Sequence, residues 1–271
     1  MRHSIEIPDE SAYEQLKLLS CTYPTVISLA KLPCSQLIPL MNKAHEAGFL
    51  AIPTLPARRV IDEAEVGSIL IEMNRLSLTE ILLVGGNDAS STLFQDSLGL
   101  AIHCINRHDS PLRTLYFAAH PEGTVEAAPN DLIQIMKQKE QMCQQAGLQV
   151  TFITQLCVST DAFAMWIKQV RAANITAPIQ IGISTRCSTS ALERRLQFCF
   201  DVRKARLTDS YRALSLLDHE FVPKIFVEEL KSRIDFEQMN ICGYHWYCFD
   251  TLKNVIEDID SVGDIDIRKR A

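Results

Sequence analysis

The chain has 271 residues, a length that suits one large α/β barrel or two modest domains. Its formal net charge of −6 leaves no basic face for a nucleic-acid partner, and no apolar run approaches the roughly 20 residues of a membrane-spanning helix. Its nine cysteines include no Cys-x-x-Cys pair and, being odd in number, cannot all pair within one chain; reduced thiols in a cytoplasmic protein, and no metal site, are the expectation.

The opening MRHSIEIPDES turns acidic before any signal-peptide core could form. Ser4–Ile7 reads as a short apolar strand that Glu6 interrupts and Pro8 stops, and Asp9–Leu19 then carries helical spacing. Thr25–Ala30 is the second strand, followed by a helix from Ser35 to Ala47 with Gly48 as its stop. Leu50–Ile52 is a short third strand running into a Pro53–Pro56 loop, and Asp62–Leu76 a helix with Val66, Ile69, Leu70 and Met73 on one stripe.

Glu80–Val84 is the fourth strand, halted by Gly85 and Gly86, and the helix after it uses Phe94, Leu98, Ala101, Ile102 and Ile105. Thr114–Ala119 is the fifth, with a helix over Asp131–Ala146. Val150–Leu156 is β-branched and apolar, as for a strand buried on both faces of a parallel sheet. Ser159 can cap the next helix, in which Phe163, Trp166, Ile167 and Val170 recur at helical spacing. Pro178–Ile183 is the seventh strand and Tyr244–Phe249 the eighth, with Asp250 and Thr251 capping the last helix.

Eight strands, each followed by a helical stretch, are the arithmetic of a TIM (β/α)8 barrel. The sequence thus predicts a single TIM-barrel domain over residues 1–271, with an enlarged helical segment between strands 7 and 8. A doubly wound fold would want Gly-x-Gly-x-x-Gly after its first strand, and none is present.

In such a barrel the reactive groups sit where strands end. Those positions hold Glu6, Ala30, Lys31, Thr54, Gly86, Asn87, Asp88, His120, Gln155, Ser184 and Asp250, with no nucleophile elbow and no metal-ligand spacing. Acids, amides and glycine loops suit the placing of a bound cofactor better than covalent catalysis. Glu6 reads either as a rim carboxylate or as a partly buried acid able to deliver a proton.

The stretch ITQLCVSTDAFAMWIKQVRAANITAPIQIGI resembles the strand, Thr-Gln, acidic loop, helix and next strand of methylenetetrahydrofolate reductases, and the compact bacterial type fits best. SIEIP is similar to that family's opening strand with its Glu before Pro, which implies Glu6 as proton donor. ILLVGGNDA resembles the segment lying against the flavin, implying contacts from Gly86 and from Asn87 or Asp88. FAAHPEGTVEA resembles a Tyr-Pro-Glu-Gly-His loop, with His120 in place of the Tyr and Thr124 in place of the His. Lys139 matches a family Lys near the cofactor's phosphates, and Gln155 matches the amide that reads the pterin edge. Thr54 joins this set as a cofactor contact. Ser184-Thr185-Arg186-Cys187 departs from the family's Pro-Gly-Pro-like loop.

The resemblance implies an FAD enzyme that carries hydride from NADH or NADPH to 5,10-methylenetetrahydrofolate, with Glu6 and Asp88 as catalytic groups and no nucleic-acid, membrane or metal partner. A homo-oligomer is compatible with it. Two other readings stand beside it: the same chemistry run oxidatively in a folate-dependent demethylation pathway, and a catalytically silent relative that binds folate or acts as a partner subunit.

Overall fold

The structure, a computed structural model, describes residues 2–7, 25–27, 34–86, 93–124, 127–199, 208–215, 220–249 and 254–263. The chain forms two compact units. An early unit holds Ser4–Ala118 and Lys139–Thr151; a late unit holds Met1–His3, Ala119–Gln138 and Phe152–Ala271.

In the early unit the strands β1 (Arg2–Ile7), β2 (Thr25–Ile27), β3 (Ala51–Pro56), β4 (Glu80–Val84) and β5 (Thr114–Ala119) pair in chain order, all parallel. Glu6 registers with Val26, Val26 with Ile52, and Leu83 with both Leu55 and Phe117. Parallel neighbours need crossovers, which α1 (Leu37–Glu46), α2 (Glu63–Arg75) and α3 (Ser97–Asn106) supply. α2 begins with a reciprocal cap: the Asp62 carboxylate accepts from Glu65 N at 2.7 Å, and Glu65 Oε2 accepts from Ile61 N at 3.1 Å. Its predicted stripe of Val66, Ile69, Leu70 and Met73 is fully buried. α3 starts where Asp96 accepts from Leu98 N and Gly99 N, each at 2.9 Å.

β3 departs from the expected short strand and proline loop. Pro53 forms the last rung with β2 and Pro56 the last rung with β4, so neither missing N–H interrupts a ladder interior. The strand therefore runs on through both prolines, and Thr54 lies within it.

In the late unit β6 (Gln149–Thr154), β7 (Ile179–Ser184) and β10 (Ile241–Tyr247) are again parallel, with Ile153 opposite Gln180 and Tyr244 opposite Ile181. α4 (Pro129–Gln145), whose Lys139–Gln145 stretch belongs to the early unit, precedes β6, and α5 (Thr160–Ala172) follows it. The Ser159 hydroxyl caps α5 by accepting from Ala162 N at 3.1 Å, and Phe163, Trp166, Ile167 and Val170 are buried as predicted. Between β7 and β10 come β8 (Cys187–Ser188), α6 (Thr189–Cys199), α7 (Thr208–Ser215), β9 (Glu220–Phe221) and α8 (Pro223–Arg233); α9 (Val255–Val262) follows β10. β8 and β9 pair antiparallel, a ladder too short to leave any periodicity in the sequence. α8 is stitched to α5 by Thr160 Oγ1 donating to Glu229 at 2.8 Å and by Arg233, which bonds both Glu229 and Asp161.

Sequential parallel strands returned by helices are the α/β-barrel arrangement; a doubly wound sheet would reverse its order at a switch point. The last strand starts three residues before its expected beginning at Tyr244. The helix expected at Asp9–Leu19 and the Asp250-Thr251 cap lie outside the described residues. Among the described residues no helix is long and apolar enough to cross a membrane.

Candidate functional site

Glu6 sits one residue before the end of β1, half-exposed, where the buried pair Ser4-Ile5 gives way to the strand's rim. Two strands away, Thr54 is 6% exposed and its Oγ1 has no hydrogen-bond partner. A buried hydroxyl without a partner is costly unless a ligand satisfies it, so Thr54 fits the role of a cofactor contact.

Beside it, past the end of β4, Gly86 has φ of 84°, and a methyl there would meet Pro56 Cβ at 3.2 Å. A methyl on Gly85 would meet nothing within 4 Å. Gly86 is thus a turn residue packed on β3, and Gly85 carries the open backbone. Arg58 stitches the same corner, donating from its backbone N to Gly85 O at 3.0 Å and from Nη1 to Gly86 O at 3.2 Å. Asn87 and Asp88 lie outside the described residues.

Lys139, on α4, is 7% exposed, with its ammonium 4.8 Å from the centroid of the Phe117 ring on β5. Among the described residues no carboxylate forms an ion pair with it. Burial pushes its pKa down from 10.5 to about 8, with Asp96 and Cys143 drawing it weakly back up. A buried cation of this kind suits an incoming phosphate.

The same burial makes a stability prediction. The unfolded chain holds this proton more tightly than the folded one, so the penalty is fully present below pH 8 and is relieved as pH rises from about 8 towards 10.5. Lys139→Met should therefore stabilise the protein at pH 7 by about 2 kcal/mol, after allowing for the lost cation–π contact. Urea unfolding of both proteins at pH 7 and pH 10 checks this, since the gap should close at the higher pH.

In the late unit, His120 follows β5 and opens a tight loop: its carbonyl accepts from Gly123 N at 3.0 Å. Thr124 closes that loop, bonding Ala127 through both its backbone N and its hydroxyl. Gln155 stands immediately after β6, and its N donates to Ala119 O at 2.7 Å, setting it beside the strand end that carries His120.

The Gln155 carboxamide is held by Tyr247, the last residue of β10, whose hydroxyl lies 3.1 Å from both Gln155 Oε1 and Thr154 O. A phenol has one proton, and the backbone carbonyl can only accept it. The carboxamide turned over would instead donate its NH2 to the phenol oxygen, leaving its own carbonyl to meet an N–H edge of a ligand. Nothing in the sequence singled out Tyr247 for this contact beyond its position at the end of an aromatic strand, at the level of Gln155. Tyr247→Phe should release the Gln155 carboxamide and cost about 1 kcal/mol of stability, the worth of one neutral hydrogen bond, which urea unfolding of the two proteins checks.

A shallow depression of about 600 Å³ lined by Lys231–Glu237 lies at the other end of the β10 stave, before its first residue. Among the described residues no group of His, Cys, Asp and Glu could hold a metal ion.

No family model matches the sequence. In structure, the chain is similar to a protein described as a phosphonomutase from Burkholderia cenocepacia J2315, at 10% identity over 72% of this chain and 83% of that chain, with a TM-score of 0.45. It is similar to a xylose isomerase domain-containing protein from Salmonella typhimurium LT2, at 14% identity over 96% of this chain and 97% of that one, with a TM-score of 0.38. A fusion of a xylose isomerase-like TIM barrel with 4-hydroxyphenylpyruvate dioxygenase matches at 9% identity over 96% of this chain and 42% of that chain, with a TM-score of 0.39. None of the three bears on the reaction.

Proposed function

We propose that the parallel strands close into one eight-stranded TIM barrel, enlarged between its last two staves. We further propose that the chain is a cytoplasmic flavin enzyme reducing 5,10-methylenetetrahydrofolate to 5-methyltetrahydrofolate at the expense of NADH or NADPH. The observation that carries this reading is the Gln155 carboxamide, set by Tyr247 just past the end of β6, in the Thr-Gln pair shared with the reductases it resembles.

FAD, when bound, supplies the hydride relay between the two substrates. The orphaned Thr54 hydroxyl and the Lys139 ammonium are the groups of this chain that suit its polar edge and its phosphates. Glu6 protonates a nitrogen of the folate's imidazolidine ring, which opens to leave a cationic methylene carbon. Asp88 stabilises that cation, and Gln155 holds the pterin through its amide-like edge.

The test is product analysis. The purified chain, supplied anaerobically with FAD, NADH and 5,10-methylenetetrahydrofolate, should yield 5-methyltetrahydrofolate by mass spectrometry. Saturating FAD with neither NADH consumed nor product formed would exclude the activity.

A further inference from the structure

We propose that the end of β7 and the start of α6 form an anion-binding subsite built on Arg195, which takes a carboxylate or phosphate group of a substrate. Arg195 is 6% exposed. Its Nη1 donates to Ser184 Oγ at 2.6 Å, to Thr185 O at 3.1 Å and to Thr185 Oγ1 at 3.2 Å. Its Nε is buried with no hydrogen-bond partner. The guanidinium carbon lies 5.0 Å from the centroid of the Phe249 ring, and Phe249 itself has φ of 47°, uncommon for an aromatic residue.

Every one of those contacts is neutral. A guanidinium keeps its charge at any accessible pH, and a buried charge without a counter-ion is strongly unfavourable. The neighbouring arginine shows the contrast. Arg186 donates its backbone N to Asp258 at 2.7 Å and sets its guanidinium 3.6 Å from the same carboxylate, which is 1% exposed. Among the described residues no carboxylate lies within ion-pair distance of Arg195, so none of them supplies its counter-ion, and an anionic ligand group would.

The place also fits. Ser184 ends β7, and Phe249 follows the end of β10 by two residues. Barrel folds gather phosphate groups at the loops after their last two strands. Thr189 Oγ1, at the first residue of α6, is a second buried polar atom without a partner, while the Ser188 hydroxyl before it caps the helix by accepting from Ala191 N at 3.3 Å. The subsite does not depend on the flavin reading, since it requires only an anionic ligand.

Calorimetric titration of the full chain at constant ionic strength tests it, with inorganic phosphate and glutarate as probes and sodium chloride as the reference. At least one probe should bind the wild type, and Arg195→Gln should weaken it about tenfold or more, as for one lost charge-assisted bond. Arg233→Gln, at an exposed helix pair, should leave it unchanged. Phosphate binding alone assigns a phosphoryl group, and glutarate binding alone assigns a carboxylate. If Arg195→Gln does not fold, Arg195→Lys keeps the charge, loses the fork, and should still weaken the probe. No binding by the wild type, or equal binding by the Arg195 variants, would overturn the proposal.

Discussion

Gly182→Ala should unfold the late unit under conditions where the wild type is stable. Gly182 lies inside β7, opposite His245 of β10, and its N donates to Thr154 Oγ1 at 2.8 Å. A methyl group there would overlap Thr154 O and stand 2.7 Å from Tyr247 Cε2. The first obstacle is a backbone atom of the adjacent strand, which cannot swing aside as a side chain can. The cost should exceed the roughly 1–3 kcal/mol typical of overpacking. Gly85→Ala is the matched control, because a methyl there meets nothing within 4 Å, and surface changes of this kind stay within about 0.5 kcal/mol. Urea midpoints for the two variants should diverge sharply; similar midpoints would mean β6 and β7 do not approach so closely. Any folded remnant of Gly182→Ala should also displace Tyr247, whose hydroxyl bonds the Gln155 carboxamide.

Glu6→Gln should separate the two half-reactions of the proposed cycle. Flavin reduction by NADH needs no proton from this carboxyl and should stay within about twofold of wild type. The folate half-reaction needs one to open the imidazolidine ring and should slow by about 10²–10⁴, the usual worth of a positioned general acid. The replacement is nearly isosteric on a strand whose neighbours Ser4 and Ile5 are buried, so the fold should tolerate it. Anaerobic stopped-flow measurement of each half-reaction decides the matter. Equal rates in both, relative to wild type, would remove Glu6 from the chemistry.

The fold was readable where local chemistry and burial agree. Ser159 looked like a cap and is one, and the stripes of α2 and α5 are buried as their spacing implied. β3 was not readable, because proline ordinarily argues against a strand; only its register shows that both prolines fall on terminal rungs. β8 and β9 are too short for any pattern.

The candidate site divides in the same way. Gln155 stood out because a long polar residue at the end of an apolar strand is unusual. Thr54 was named by position, but its orphaned hydroxyl appears only once neighbouring strands enclose it. Arg195 was invisible, because in ALERRLQ it reads as one more charge on a solvated helix face. What distinguishes it is the partner set at the end of β7: Ser184, eleven residues earlier, for one bond and Thr185, ten residues earlier, for two more. Tyr247 was hidden by the aromatic strand around it, in which Tyr244 and Trp246 are core residues.

The central claim is that this chain holds a flavin that its two substrates reduce and reoxidise. The most direct measurement is the visible absorbance of the protein after loading with FAD and desalting. The account predicts a yellow protein that bleaches on anaerobic addition of NADH and regains its colour with 5,10-methylenetetrahydrofolate. A colourless protein, with all of the FAD in the small-molecule fraction, would contradict it.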